Sequence, residues 1–245
     1  MKKLLALLLA LLLLFTLTAC EEEEVELALD IAVAVLEEME QAQTPIENEA
    51  ASAEEIPPWS GEAYVAVNGN TPFFREEEYT TESYEFYSEL DALGRCGMTM
   101  ACIGTDIMPT EERGSIGSVK PSGWQSVKYD CVDGKYLYNR CHLIGFQLAG
   151  ENANKRNLIT GTRYLNIEGM LPFEDMVADY VKETENHVLY RVTPIFNGDD
   201  LVAEGVLLEG WSVEDEGEGI CFCVYAYNAQ PGIIIDYATG DSREE

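Results

Sequence analysis

Apolar positions along the chain change period several times, and each change predicts an element. After Met1-Lys2-Lys3, residues Leu4 to Leu17 are almost entirely Leu, Ala, Phe and Thr, a run too short for a comfortable membrane span of ~20 residues. Ala63-Tyr64-Val65-Ala66-Val67 reads as a strand closed by the turn residues Asn68-Gly69-Asn70. Glu82 to Gly94 is helical in texture, with Tyr84, Tyr87, Leu90 and Leu93 at helical spacing. Ile103 to Gly123 is rich in Gly, Pro, Ser and Thr and predicts loop. A strand-like piece at Tyr136-Leu137-Tyr138 leads into Asn139-Arg140-Cys141-His142-Leu143-Ile144, and a polar stretch follows from Gly150 to Asn157.

The clearest helix comes next. Pro172 suits its first turn, where a missing N–H costs nothing. Phe173, Met176, Val177, Tyr180 and Val181 then form one predicted buried stripe. The last third reads as an antiparallel sheet. Val188 to Pro194 and Leu201 to Leu208 flank Asn197-Gly198, a strong hairpin signal, and Ile220 to Tyr227 and Ile233 to Tyr237 supply two more strands. Strands, one central helix, then strands predict an α+β domain with a central antiparallel sheet and one main helix. No internal repeat is visible.

Composition changes the picture at the N-terminus. Two lysines, a short apolar core and a small-residue end describe a secretory signal peptide, and Leu17-Thr18-Ala19-Cys20 resembles a bacterial lipobox. The expectation is a signal peptide over 1–19, lipidation of Cys20, and a mature protein anchored to the outer face of the bacterial cytoplasmic membrane. Residues 21–60 hold 13 Asp or Glu and no Lys or Arg. Such a segment cannot bury enough apolar surface to offset its ordering entropy, so 20–59 is expected to be an acidic tether, with Val25 to Met39 able to form a short helix. The globular part then runs over 60–245, a length that suits one domain. It carries 32 acidic and 13 basic residues. That balance excludes tight nucleic-acid capture by a broad basic surface. It leaves room for an enzyme that needs only a local positive site.

Besides Cys20, six cysteines remain: Cys96, Cys102, Cys131, Cys141, Cys221 and Cys223. An even number in an exported domain permits disulfides, but the sequence picks no connectivity. Cys221 and Cys223 alternate along an expected strand and so share a face.

The domain has two histidines. His187, in Glu185-Asn186-His187, lies between the helix and the next strand and reads as a cap or surface residue. His142 follows an arginine at the end of a strand and precedes Asn152, Asn154, Asn157 and Asn166. Asn139-Arg140-Cys141-His142 resembles the Asp-Arg-Gly-His motif of the DNA/RNA non-specific endonucleases, members of the ββα-metal (His-Me finger) superfamily. The likeness continues in order through Asn157, Leu158-Ile159-Thr160-Gly161-Thr162-Arg163, Asn166 in Tyr164-Leu165-Asn166, and Glu174 eight residues later. It is strongest from Tyr138 to Tyr180, is most similar to the branch of competence-associated DNA-entry nucleases, and extends over most of Ala63 to Ser242.

The resemblance implies a ββα-metal core that hydrolyses phosphodiesters of DNA, and also RNA, without sequence specificity, leaving 5′-phosphate ends. His142 matches the general base, which takes a proton from water while neutral. Asn166 matches the direct metal ligand. Its amide oxygen suits Mg²⁺, or Mn²⁺, which keeps most of its waters. Glu174 matches an acidic residue that holds metal-bound water, although a carboxylate in a first helical turn is favoured by the dipole anyway. Arg140 either meets phosphate or braces its strand. Asn157 and Arg163 are the candidate substrate-binding residues, Asn157 alternatively orienting the metal site or capping a turn.

Two departures from the motif stand out. Asn139 replaces the usual Asp and loses a charge, and Cys141 replaces the usual Gly. An arginine carried by some relatives one turn beyond the glutamate is also absent, since position 178 is Ala178. The rival readings are a zinc site built from Cys141, His142, Cys221 and Cys223, whose spacing lacks paired knuckles, and a non-catalytic surface lipoprotein that binds nucleic acid on a nuclease-like fold. Cys141 should point to the strand face opposite His142. Cys141→Gly is therefore expected to leave nuclease activity within about tenfold of wild type, or roughly 1.4 kcal/mol of barrier. Complete loss in a folded variant would give Cys141 a role in the chemistry.

Overall fold

A computed structural model describes residues 56–245. The apolar leader, Cys20, the acidic tether and the short helix expected over Val25 to Met39 lie outside the described residues. In chain order the elements are β1 (Tyr64–Ala66), β2 (Tyr84–Tyr87), β3 (Thr99–Ile103), β4 (Tyr138–His142), α1 (Phe146–Ala149), β5 (Leu158–Thr162), a π-helical turn (Leu165–Met170), α2 (Leu171–Thr184), β6 (Val188–Ile195), β7 (Gly205–Ser212), β8 (Cys221–Tyr227), β9 (Ile233–Ile235) and β10 (Ser242–Glu244). No helix among the described residues is long and apolar enough to cross a membrane.

Six strands form one sheet in the order β1-β8-β7-β6-β3-β2, and every neighbouring pair is antiparallel. Alternate residues point to opposite faces of a strand, and here both faces are covered. Val188, Tyr190 and Val192 of β6, Val206 and Leu208 of β7, and Phe222, Val224 and Ala226 of β8 join the main core. That core receives Phe173, Val177, Ala178 and Val181 of α2. On the opposite face Leu207, Cys223, Tyr225 and Tyr227 are covered by Ile56, Trp59 and Phe73, which precede β2.

One ion pair is buried on this second face. Arg191 of β6 stands directly opposite Glu209 of β7 and binds it through two bonds, Nε to Oε2 at 2.6 Å and Nη2 to Oε1 at 2.8 Å. The backbone N–H of Phe73 donates to Glu209 Oε1 at 2.7 Å, Glu78 lies 3.3 Å from Arg191 Nη1, and the Phe74 ring lies 4.7 Å from the guanidinium carbon. These contacts pin the segment from Phe73 to Glu78 across the sheet.

The α+β class, the main helix and the strands β1, β6 and β8 follow the pattern of the sequence. Five elements differ in whole or in part. Tyr84–Tyr87 is an edge strand and not a helix, because its aromatic residues pair with β3, Tyr84 opposite Cys102 and Tyr87 opposite Thr99. β3 itself is buried at all five positions, so it has no alternation to reveal it. The chain then turns at Asp91, whose side chain accepts from the N–H groups of Leu93 and Arg95. In α2, Met176 is 46% exposed, and Ala178 takes its place on the buried face. Past the Asn197-Gly198 turn, pairing starts only at Gly205, because the N–H of Val202 is taken by the carbonyl of Tyr237. Finally, Ile233–Ile235 pairs with β10 in a separate hairpin and not with the main sheet.

Arg191→Met leaves Glu209 buried without its counter-charge, which costs about 3–5 kcal/mol of folding stability. Urea melts read it as a lower midpoint, largely restored when Glu209→Leu is added. A loss below about 1 kcal/mol would mean that water solvates Glu209 in place of the guanidinium.

Candidate active site

β4 and β5 pair antiparallel beside the main sheet, with His142 opposite Leu158 and Arg140 opposite Thr160. Alternation on β4 sends Cys141 into the main core, where it is fully buried, and turns His142 toward a cleft of about 850 Å³. The same cleft is lined by Arg113, Asn139, Arg140, Arg163, Asn166 and Glu174.

The imidazole of His142 is held at both nitrogens. Nε2 lies 2.8 Å from the carbonyl oxygen of Asn152, and Nδ1 lies 3.2 Å from Nη2 of Arg113. A carbonyl only accepts and a guanidinium only donates. The proton therefore resides on Nε2, and Nδ1 presents its lone pair. Burial pushes the pKa of His142 below its ordinary value, and the charge of Arg113 pushes it the same way. The ring is consequently neutral near physiological pH, as a proton acceptor must be.

The chain after His142 is fixed by Asn157. Its side-chain oxygen accepts from the N–H of Ile144 at 2.8 Å, and its side-chain nitrogen donates to the carbonyl of Ile144 at 2.9 Å. The residue is fully buried and is not part of the cleft lining. Asn157 is thus not placed to bind substrate; both halves of its amide clamp the loop that follows the histidine.

From β5 the chain enters the π turn, in which the N–H of Leu171 bonds the carbonyl of Asn166 five residues back. Eight residues of unbroken α-helix would set Asn166 and Glu174 about 80° apart around the axis. A residue absorbed by the wide turn cuts that mismatch to about 20°, and both side chains reach the cleft. Pro172 lies in the first turn of α2. The carboxylate of Glu174 packs against Gly145, where a Cβ would collide with its oxygens. Burial pushes the carboxyl up to about 8, Asp175 adding to the rise and Arg113 opposing it.

Arg140 lines the cleft, and two of its three nitrogens are engaged by the neighbouring loop. Nε bonds the carbonyl of Val119, Nη2 bonds that of Gly117 at 3.0 Å, and the guanidinium stacks 4.0 Å from the ring centre of Trp124. It braces the loop that carries Arg113. Arg163 makes an ion pair of 3.1 Å with Asp133, while its Nε is buried without a partner. The side-chain nitrogen of Asn139, the residue that departs from the motif, is likewise buried and unpartnered.

A profile of the DNA/RNA non-specific endonuclease family matches residues 75–213. The chain belongs to the DNA/RNA non-specific endonuclease family. Among solved structures, NucA from Streptococcus agalactiae with a magnesium ion bound is 26% identical, with a TM-score of 0.65 over 74% of this chain and 86% of that one. Sda1 nuclease with a bound zinc ion is 25% identical, with a TM-score of 0.66 over 76% of this chain and 100% of that one. An extracellular endonuclease at 20% identity shares the fold, with a TM-score of 0.53. The protein is a nuclease.

This endonuclease resolves its own charge problem locally. Residues 113–163 carry eight Lys or Arg against three Asp or Glu, in a domain that is otherwise strongly acidic. Three of those arginines line the cleft together with one carboxylate, Glu174. The zinc reading does not survive the fold: Cys141 sits in the main core and Cys223 in the cluster on the other sheet face. Among the described residues no group of three His, Cys, Asp or Glu converges to hold a metal ion. The six described cysteines are free. His187 bonds Glu214 at 2.6 Å just before β6 and is not in the cleft.

Arg113 is the residue that sequence reasoning missed. It lies in a stretch with no hydrophobic period, and only the folded loop brings it to His142.

Burial in the fold raises the Glu174 carboxyl from 4.5 to about 8, so its stability cost grows as pH rises between those values. In EDTA, Glu174→Gln is expected to melt with wild type below pH 4.5 and at a progressively higher temperature toward pH 8. A gap that does not change with pH would show a solvated carboxylate.

Proposed function

We propose that the protein is a metal-dependent endonuclease that hydrolyses phosphodiester bonds of DNA, and also of RNA, without sequence specificity, leaving 5′-phosphate ends. The observation that carries this reading is the lone pair of His142 Nδ1 presented in one cleft with Asn166, Glu174 and three arginines. His142 takes the proton of the attacking water, which contributes ~10²–10⁴-fold to the rate. The bond from Nε2 to the Asn152 carbonyl holds the ring while Nδ1 becomes protonated and shares out the new charge. Arg113, which donates to Nδ1 in the free cleft, turns to the anionic phosphate when substrate enters, and Arg163 steadies a neighbouring phosphate.

The donor set fits a hydrated hard cation. Asn166 offers an amide oxygen and Glu174 a carboxylate, both oxygen ligands, and Mg²⁺ or Mn²⁺ uses few protein ligands and keeps several waters. Asn166 would hold the ion directly, and Glu174 would order the water around it. An ion held by these residues would supply stabilisation of charge on the phosphoryl oxygens and the leaving 3′ oxygen. The magnesium in the similar NucA structure supports the same choice. The Leu17-Thr18-Ala19-Cys20 segment further supports an enzyme tethered by lipid to the outer face of the cytoplasmic membrane, with 20–59 as its spacer.

Supercoiled plasmid tests the reading. Wild type should nick and linearise it with Mg²⁺ and not with EDTA, and His142→Ala should slow cleavage by about 10²–10⁴-fold. Because burial and Arg113 both depress the pKa of His142, the neutral base persists into acid. The acid limb of kcat/KM should fall below the ordinary histidine value of about 6.5. Folded wild type that cuts nothing with Mg²⁺ or Mn²⁺ would favour a binding protein on a nuclease fold.

A further inference from the structure

One wall of the cleft is aromatic and takes no part in the chemistry above. Tyr136 lines the cleft and is 48% exposed. Its place is set by rigid surroundings: it bridges Lys128 across a hairpin, in which the N–H of Tyr129 donates to the carbonyl of Lys135 at 2.9 Å and that of Leu137 to Val127 at 3.1 Å. The next two residues, Leu137 and Tyr138, are buried in a cluster with Val132 and Ile233. Lys128 Nζ lies 4.3 Å from the ring centre of Tyr136, yet Lys128 is not part of the cleft lining. The ring therefore stands as a partition, with an ammonium behind it and the cleft in front. At the tip of the same hairpin Asp133 grips Arg163, tying the aromatic wall to a cation in the cleft.

We propose that Tyr136, backed by Lys128 and flanked by Arg163, forms a nucleobase-stacking subsite that selects nucleic acid with an unpaired base beside the cleaved phosphate. An aromatic face beside cations matches a base beside its phosphates, and such stacking tolerates any base because each has a π face. The ammonium behind the ring draws π density toward itself, which suits the front face to an electron-rich base. In a duplex both faces of a base are covered by its neighbours, so only an unpaired or flipped base can reach the ring. The subsite accordingly favours single strands, and a duplex engages it only at the cost of flipping a base. This inference rests on the nuclease site proposed above, since it names the form of nucleic acid that site takes.

Binding separates the two readings, because it needs no hydrolysis. The full chain is titrated in EDTA against a fluorescent single-stranded DNA, the same strand carrying abasic sites, and the matching duplex. Wild type should bind the base-bearing strand about tenfold more tightly than either of the others. Tyr136→Ala should reduce that affinity to the abasic level without weakening the abasic strand further, and Tyr136→Phe should keep the preference. Wild type without a preference, or Tyr136→Ala with it intact, overturns the stacking subsite. With Mg²⁺ the same strands report cleavage. Base preference without His142-dependent cleavage supports the subsite and overturns the catalytic reading, whereas cleavage without base preference does the reverse.

Discussion

The architecture depends on a sheet whose two faces are both buried. With residues alternating strictly, β6, β7 and β8 send one set of side chains toward α2 and the other toward the segment that precedes β2. A sheet covered twice must satisfy any polar group it encloses, and the Arg191–Glu209 pair does so with a bidentate contact plus a backbone N–H. The face occupied by α2 also determines where the site can form. The helix anchors Glu174 at its start, and the β4–β5 hairpin beside it carries His142.

Two local devices then turn this scaffold into a reactive cleft. A carbonyl at Asn152 decides which imidazole nitrogen bears the proton, so the basic lone pair has one direction. A π turn absorbs an extra residue so that Asn166 and Glu174 share one side of the helical segment. Asn157, buried behind the site, holds the loop in between. Each of these contacts sets the position of a group that lines the cleft.

The charge distribution resolves the tension between an acidic protein and an anionic substrate. Cations are concentrated between Arg113 and Arg163, and three of these arginines line the cleft. The acidic remainder favours release over retention, because long-range repulsion opposes tight capture at low ionic strength. An enzyme that cuts many sites gains from letting go.

Much of this was legible in the sequence. Periods of two and near 3.6 residues mark β6, β8 and α2, because alternation and amphipathic spacing are local consequences of burying one side. His142, Asn166 and Glu174 stand out through a motif with ordered spacing. Tertiary structure decided the rest. β3 is buried all round and has no period to read, and Tyr84–Tyr87 became a strand only because β3 offered it an edge. Arg113 reaches Nδ1 through a loop without pattern. Asn157 moved from candidate substrate ligand to clamp because its two hydrogen bonds close around Ile144. Local periodicity records which side of an element is buried; which lone pair is free, and which cation faces it, depends on contacts between residues far apart in the chain.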